Sequence, residues 1–195
     1  MADTVAPTTD VIDDVEDGDL NLPIPTRAGR VGNWYAYGDG SGVVAVDVAT
    51  INRGATSVKG LHTKGKDFTN WGSGIGVDLN NASSKSAYDA SAYSGVTFWA
   101  RAASSTSFTV SLPDVDTDQA GGNCTSCAHH YYKAFTATTD WQRFTLKFSE
   151  LSLEAGGAPT PVPAFKASGM FSVLFRFNPG LSYEMLIDDI AFIKG

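Results

Sequence analysis

Met185-Leu-Ile-Asp-Asp-Ile-Ala-Phe-Ile193 decides the fold. A strand sends successive side chains to opposite faces. On that rule Met185, Ile187, Asp189, Ala191 and Ile193 share one face, and Leu186, Asp188, Ile190 and Phe192 the other. Each face then carries one carboxylate among apolar neighbours, which is costly unless the carboxylate is paired, hydrogen-bonded or bound to metal. The other end of the chain has a matching segment, Val11-Ile-Asp-Asp-Val-Glu-Asp-Gly-Asp19. The two read as first and last strands lying side by side.

The 195 residues suit one domain with a substantial core. Twenty glycines with 11 Phe, 7 Tyr and 4 Trp point to an all-β protein with many turns. The net charge of -7 and the lack of any Lys/Arg cluster in the sequence argue against a nucleic-acid or anionic-membrane partner. No apolar run reaches the roughly 18–20 residues that span a bilayer. Residues 1–10 have neither the basic start nor the apolar centre of a leader and read as a disordered linker remnant, with the domain over 11–195. Cys124 and Cys127 lie in a Gly-Gly-Asn loop with no helical pattern around them. They read as a loop-stapling disulfide, with free thiols or a metal site through His129 or His130 as alternatives.

Alternation marks strands at 11–15, 33–37, 43–51, 56–63, 71–79, 95–101, 107–112, 131–137, 142–148, 171–177 and 185–193. No long amphipathic helix interrupts them. Such a series, with early and late strands paired, predicts a two-sheet antiparallel β-sandwich, a jelly roll.

Four stretches carry a family resemblance: Ile12-Asp-Asp-Val-Glu-Asp-Gly-Asp19, Tyr88-Asp-Ala-Ser-Ala-Tyr-Ser-Gly-Val-Thr-Phe-Trp-Ala-Arg101, Thr139-Asp-Trp-Gln-Arg-Phe-Thr145 and Ile187-Asp-Asp-Ile190. Together they resemble bacterial jelly-roll carbohydrate-binding modules of the galactose-binding-like group, nearest the family 11 β-glucan-binding modules. The resemblance implies a secreted or cell-surface domain that binds a polysaccharide without cleaving it. It also implies a glycanase elsewhere in the parent polypeptide and a structural calcium where the first and last strands meet. Glu16, Asp19 and Asp188 are the expected carboxylate ligands, with a carbonyl from Gly18. The alternative is that Asp188 and Asp189 accept hydrogen bonds from backbone or Ser/Thr groups.

Sugar binding needs flat ring faces against pyranose C–H groups, flanked by planar hydrogen-bonding side chains. Parity sets Thr97, Trp99 and Arg101 opposite Phe98 and Ala100, and Leu174, Arg176 and Asn178 opposite Val173, Phe175 and Phe177. The polar parity is expected on the outer concave face of one sheet and the Phe-rich parity in the core. Trp99, Arg101, Arg176 and Asn178 are therefore candidate glycan contacts, with His62 facing outward. Trp34, Tyr37, Trp71 and Tyr131 are candidates beside glycines or loops, whereas Trp141 reads as a core plug. The competing function is a jelly-roll glycoside hydrolase or polysaccharide lyase. However, no strand carries the Glu-x-Asp-x-x-Glu pattern of jelly-roll glucanases, and no Ser-His-Asp arrangement stands out. The chain is expected to act as a monomer.

Overall fold

In the computed structural model, which describes residues 8–20, 27–124, 127–155 and 163–195, the last strand is the centre of the molecule. Twelve strands are found among these residues: β1 Thr9–Asp13, β2 Trp34–Gly38, β3 Val43–Gly54, β4 Ser57–Lys66, β5 Ser73–Asp78, β6 Tyr93–Ala102, β7 Thr106–Leu112, β8 Tyr131–Ala137, β9 Gln142–Lys147, β10 Ser152–Leu153, β11 Ser172–Phe177 and β12 Tyr183–Lys194. One sheet runs β3-β4-β12-β6-β9, with β1 also on β12; the other runs β10-β8-β7-β11-β5-β2. All strand pairings are antiparallel. This is the expected β-sandwich.

One edge of β12 pairs with β6 along most of its length. Its other edge is shared: Tyr183–Ile187 pair with β4, and Ile190–Ile193 pair with β1. The first and last strands are neighbours, as the acidic segments suggest. The unbroken parity of β12 is not found. A bulge at Asp188–Asp189 shifts the register, and Asp189 takes a left-handed conformation (φ 49°). Met185 and Ile187 before the bulge, and Ile190 and Phe192 after it, therefore all reach the same core. Both carboxylates fall where β4 gives way to β1.

The core lies between the sheets. Phe98 sits against Phe108, Phe135, Phe144 and Phe175, with ring centroids 5.0–6.2 Å apart. β1 begins at Thr9 rather than Val11, and Thr9 and Asp10 pair with Ile193 and Phe192. Those two residues of the expected linker remnant are thus in the sheet, while residues 1–7 lie outside the described set. Between β9 and β10 the chain makes a 3-10 turn, Phe148–Glu150, followed by the two-residue β10. Among the described residues no helix is long and apolar enough to cross a membrane.

Candidate functional site: an aromatic cleft on the outer face of one sheet

The cleft is made possible by two glycines in the middle of the second sheet. In β5, Ile75 and Val77 fill the core, so Gly74 and Gly76 take the outer face. The register sets Tyr37 and Arg176 on either side of Gly74, and Tyr35 and Leu174 on either side of Gly76. With no side chain between them, these groups lie across the sheet. A Cβ at Gly74 would come 2.5 Å from Tyr37 Oη, and one at Gly76 2.5 Å from Leu174 Cδ2 and 3.0 Å from the Tyr35 ring. The result is a row of rings: Tyr35–Tyr37 at 6.0 Å between centroids and Tyr37–Trp71 at 6.2 Å and 26°. Trp71 ends the row and is 49% exposed, an unusual setting for so large an apolar side chain.

The Trp71 loop is fixed from below. Asp39 accepts the N–H groups of Asn70 (3.0 Å), Gly72 (2.9 Å) and Ser41 (2.9 Å). Desolvation opposes ionisation there, but these bonds and one from the Ser41 hydroxyl outweigh it and hold the Asp39 carboxyl well below the usual range. Gly72 has φ +95° and passes against the backbone of Phe177 and Asn178, where a side chain would collide.

The facing wall comes from β11, β10 and the loop before β8. Arg176 is ion-paired with Glu154, whose N–H donates to the His130 carbonyl at 3.2 Å. Cys124 and Cys127 form a disulfide that staples this loop, which excludes the thiol-metal alternative. Ala128, His129 and His130 follow it into the wall, and the cleft encloses about 410 Å³. Tyr37 Oη, and Ser111 Oγ on the neighbouring β7, are buried beneath the surface with no hydrogen-bond partner among the described residues. Burial also pushes the Tyr37 hydroxyl above its ordinary range, so it stays protonated as both donor and acceptor. Ring faces and an Arg–Glu pair across a trough are what a pyranose can use: its C–H face stacks and its hydroxyls bridge.

His130 is buried beside Thr117, with Nδ1 3.3 Å from Oγ1. Desolvation lowers its pKa to about 4, so the ring is neutral at pH 7. Because the folded value lies below the unfolded one, its contribution is complete above about pH 6.5 and is lost as pH falls toward 4. Stability should fall by up to about 1.4 kcal/mol per pH unit across that window. His130→Gln should flatten the profile, as measured by urea midpoints between pH 4 and 7.

The sequence candidates separate into groups. Tyr37, Trp71 and Arg176 meet in the cleft, with Asn178 exposed at its Trp71 end. Trp34 does not join them: it is 6% exposed, donates Nε1–H to Asp13 Oδ2 at 2.7 Å and packs on Phe175. Tyr131 also belongs to the interior, with its hydroxyl on the Pro163 carbonyl and its ring against Phe165. Strand parity gives the outer face to Tyr132 instead, opposite Ser111 and Ser152.

His62, Trp99 and Arg101 lie on the outer face of the other sheet, so the expectation of one face for all the polar parity residues fails. Trp141, expected in the core, lies outward with the Arg101 guanidinium 5.6 Å from its ring. A larger cleft of about 510 Å³ occupies that face, but the one ring among its lining residues, Tyr183, is buried. Sequence reasoning missed Glu154, because the strand that positions it is two residues long.

The expected calcium ligands are not drawn together. Asp188 is fully buried; Oδ2 accepts Arg53 Nε at 2.7 Å and the Ser57 hydroxyl at 2.5 Å, and Oδ1 accepts the Asp189 N–H. Arg53 also pairs with Asp189. Glu16 instead receives the N–H groups of Val58 and Lys59, and Gly18 turns back to Val15. Asp19 accompanies Glu16 and Gly18 in that loop, its N–H on Asp17. No group of three or more His, Cys, Asp or Glu residues converges among the described residues. The donor set does not fit calcium, and a guanidinium holds the carboxylates at the bulge. Ser57 realises the hydroxyl alternative.

No family model matches the chain, and no curated protein does. Solved structures do. A family 11 carbohydrate-binding module from Clostridium thermocellum, in complex with a β-1,3-1,4-mixed-linked tetrasaccharide, is 14% identical with a TM-score of 0.67, over 98% of both chains. The family 11 module of a cellulosomal cellulase from the same organism is 16% identical at 0.64, over 98% of this chain and 97% of that one. An exo-β-agarase is 13% identical at 0.59, over 95% of this chain and 25% of its own. At such identities the likeness is one of fold.

Proposed function

We propose that the protein is a secreted or cell-surface carbohydrate-binding module whose aromatic cleft holds an uncharged polysaccharide, a β-glucan or another plant cell-wall glycan. The Tyr35–Tyr37–Trp71 row facing the Arg176–Glu154 pair carries this reading. Stacking on Trp71 and Tyr37 supplies affinity. The pair supplies orientation, and Glu154 neutralises the cation that would otherwise select acidic sugars. The family 11 module solved with its tetrasaccharide supports the ligand class. The exo-β-agarase, in which this fold is a quarter of the chain, supports a parent polypeptide that also carries a glycanase. A disulfide beside the cleft suits an oxidising compartment.

The carboxylate count supports binding without hydrolysis, and the unsaturated-product assay below addresses the lyase reading. Glycosidases set two carboxyl groups roughly 5–9.5 Å apart across the scissile bond. Among the residues lining this cleft, Glu154 alone has a carboxylate, and Arg176 occupies it. Affinity electrophoresis of the protein, acting as a monomer, against a panel of soluble polysaccharides tests the reading, with reducing-end and unsaturated-product assays alongside. Retardation by a neutral glycan without product is expected. Product formation, or no retardation by any neutral glycan, contradicts it.

A further inference from the structure

The Trp71 ring stands on a loop that the sheet itself does not hold. Between the buried Phe68 and Gly72 the chain turns outward, and Thr69, Asn70 and Trp71 are all exposed. The ladder between β2 and β5 ends at Gly38–Ser73, short of these residues. Asp39, the next residue after β2, takes over from it. Its N–H donates to the Gly72 carbonyl at 3.0 Å, and its Oδ2 accepts the N–H groups of Asn70 and Gly72. Its Oδ1 accepts the N–H and the hydroxyl of Ser41, whose Oγ in turn accepts the Thr69 N–H at 2.9 Å. Among the described residues, the hydrogen bonds to the 69–71 tip all come from this turn, and the ring against Trp71 is Tyr37.

The turn that carries the carboxylate, Asp39-Gly-Ser-Gly42, is braced in its own right. Gly42 runs against the backbone where the Trp71 loop begins: a Cβ there would come 2.3 Å from the Lys66 carbonyl oxygen and 2.8 Å from the Phe68 nitrogen. The turn is thus wedged under one end of the loop and hydrogen-bonded to its tip. Tyr37 lies two residues before Asp39, so one short segment carries the middle ring of the aromatic row and the group that fixes the last one. Asp39 is not among the residues that line the cleft. Its route to a bound sugar runs through Trp71.

We propose that Asp39 is a positioning residue for glycan binding, its carboxylate holding the Trp71 ring in line with Tyr37 before any ligand arrives. The inference rests on the aromatic cleft being the glycan site. A loop that is ordered in the free protein spares the complex the entropy of ordering it, and that saving appears as affinity. Two oxygens are needed, because Asn70 and Gly72 use one and Ser41 the other. An amide supplies one acceptor oxygen, so Asp39→Asn keeps part of the set and Asp39→Ala keeps none of it.

The test is affinity electrophoresis against a soluble β-1,3-1,4-linked glucan, comparing the wild type, Asp39→Ala, Asp39→Asn, Trp71→Ala and the double variant Asp39→Ala/Trp71→Ala, with melting temperatures to confirm folding. Alongside it, the heteronuclear NOE of the Trp71 indole N–H reports how ordered the ring is in the free protein. Asp39→Ala should weaken binding about tenfold, Asp39→Asn should weaken it less, and the indole NOE should fall in the same order. Once Trp71 is gone the carboxylate has nothing to position, so the double variant should bind within about twofold of Trp71→Ala. If Asp39→Ala does not fold, Asp39→Asn and Ser41→Ala carry the same comparison. Unchanged binding in Asp39→Ala where Trp71→Ala is weakened, additive losses in the double variant, or an indole as ordered without the carboxylate as with it would each overturn the proposal and leave the cleft reading standing. Trp71→Ala binding as tightly as the wild type, or a wild type that the glucan does not retard, would remove the cleft reading and this proposal with it.

Discussion

Trp71→Ala is expected to weaken neutral-polysaccharide binding roughly 30-fold, the equivalent of about 2 kcal/mol, which is the usual threshold for an aromatic hot spot. The same substitution should leave the melting temperature within about 2 °C, because surface changes are ordinarily worth within about ±0.5 kcal/mol. The expectation rests on two observations. Trp71 is 49% exposed, so the folded chain gains little by burying it, and its ring continues the line set by Tyr35 and Tyr37. Isothermal titration with the best glycan of the panel measures the first effect, and calorimetry the second. Trp34→Phe should behave oppositely. It removes the donor to the buried Asp13 carboxylate, so it should cost stability and spare binding.

The second large effect concerns the bulge in β12. Arg53→Ala would leave Asp188, fully buried, with the Ser57 hydroxyl and the Asp189 N–H as its remaining donors. Removing one partner of a buried ion pair costs about 3–5 kcal/mol. For a chain of this size each kcal/mol corresponds to roughly 2–4 °C, so the melting temperature should fall by about 10 °C. The partial exposure of Asp189 places the cost mainly on Asp188. Arg53→Ala combined with Asp188→Asn should recover part of the loss, since no buried charge is then left alone. Chelator should not change the wild-type melting temperature, because the donor set at the bulge does not fit calcium. A chelator-induced drop reversed by calcium, or an unchanged melting temperature in Arg53→Ala, would contradict this account.

The acidic ends explain how much of the fold was legible. Carboxylates inside two apolar runs must be partnered, and placing the runs side by side is the simplest way to concentrate partners at one corner. That inference needs only the cost of burying charge, and it predicted the β1–β12 pairing. The identity of the partner was not legible. Arg53 lies 135 residues before Asp188, and nothing local marks it. The bulge was hidden for a related reason: period-two reading assumes an unbroken ladder, and Asp189 leaves it by adopting positive φ.

The site divides along the same line. Arg176 and Trp71 could be found because parity and neighbouring glycines are local properties. Tyr131 and Tyr132 are adjacent, and their faces are fixed by pairing Tyr131 with Leu112, a long-range register. Trp99 and Arg176 look equivalent in the sequence, but strand order sends them to opposite sides of the sandwich.

The most direct test of the account is a titration of isotope-labelled protein with a β-1,3-1,4-linked glucan tetrasaccharide, following the indole N–H signals of the four tryptophans by nuclear magnetic resonance. The account predicts that the Trp71 signal moves in a saturable way while those of Trp34, Trp99 and Trp141 stay within line width. Movement of the Trp99 or Trp141 signal with Trp71 stationary would place neutral-glycan binding on the other sheet and contradict the assignment of the aromatic cleft.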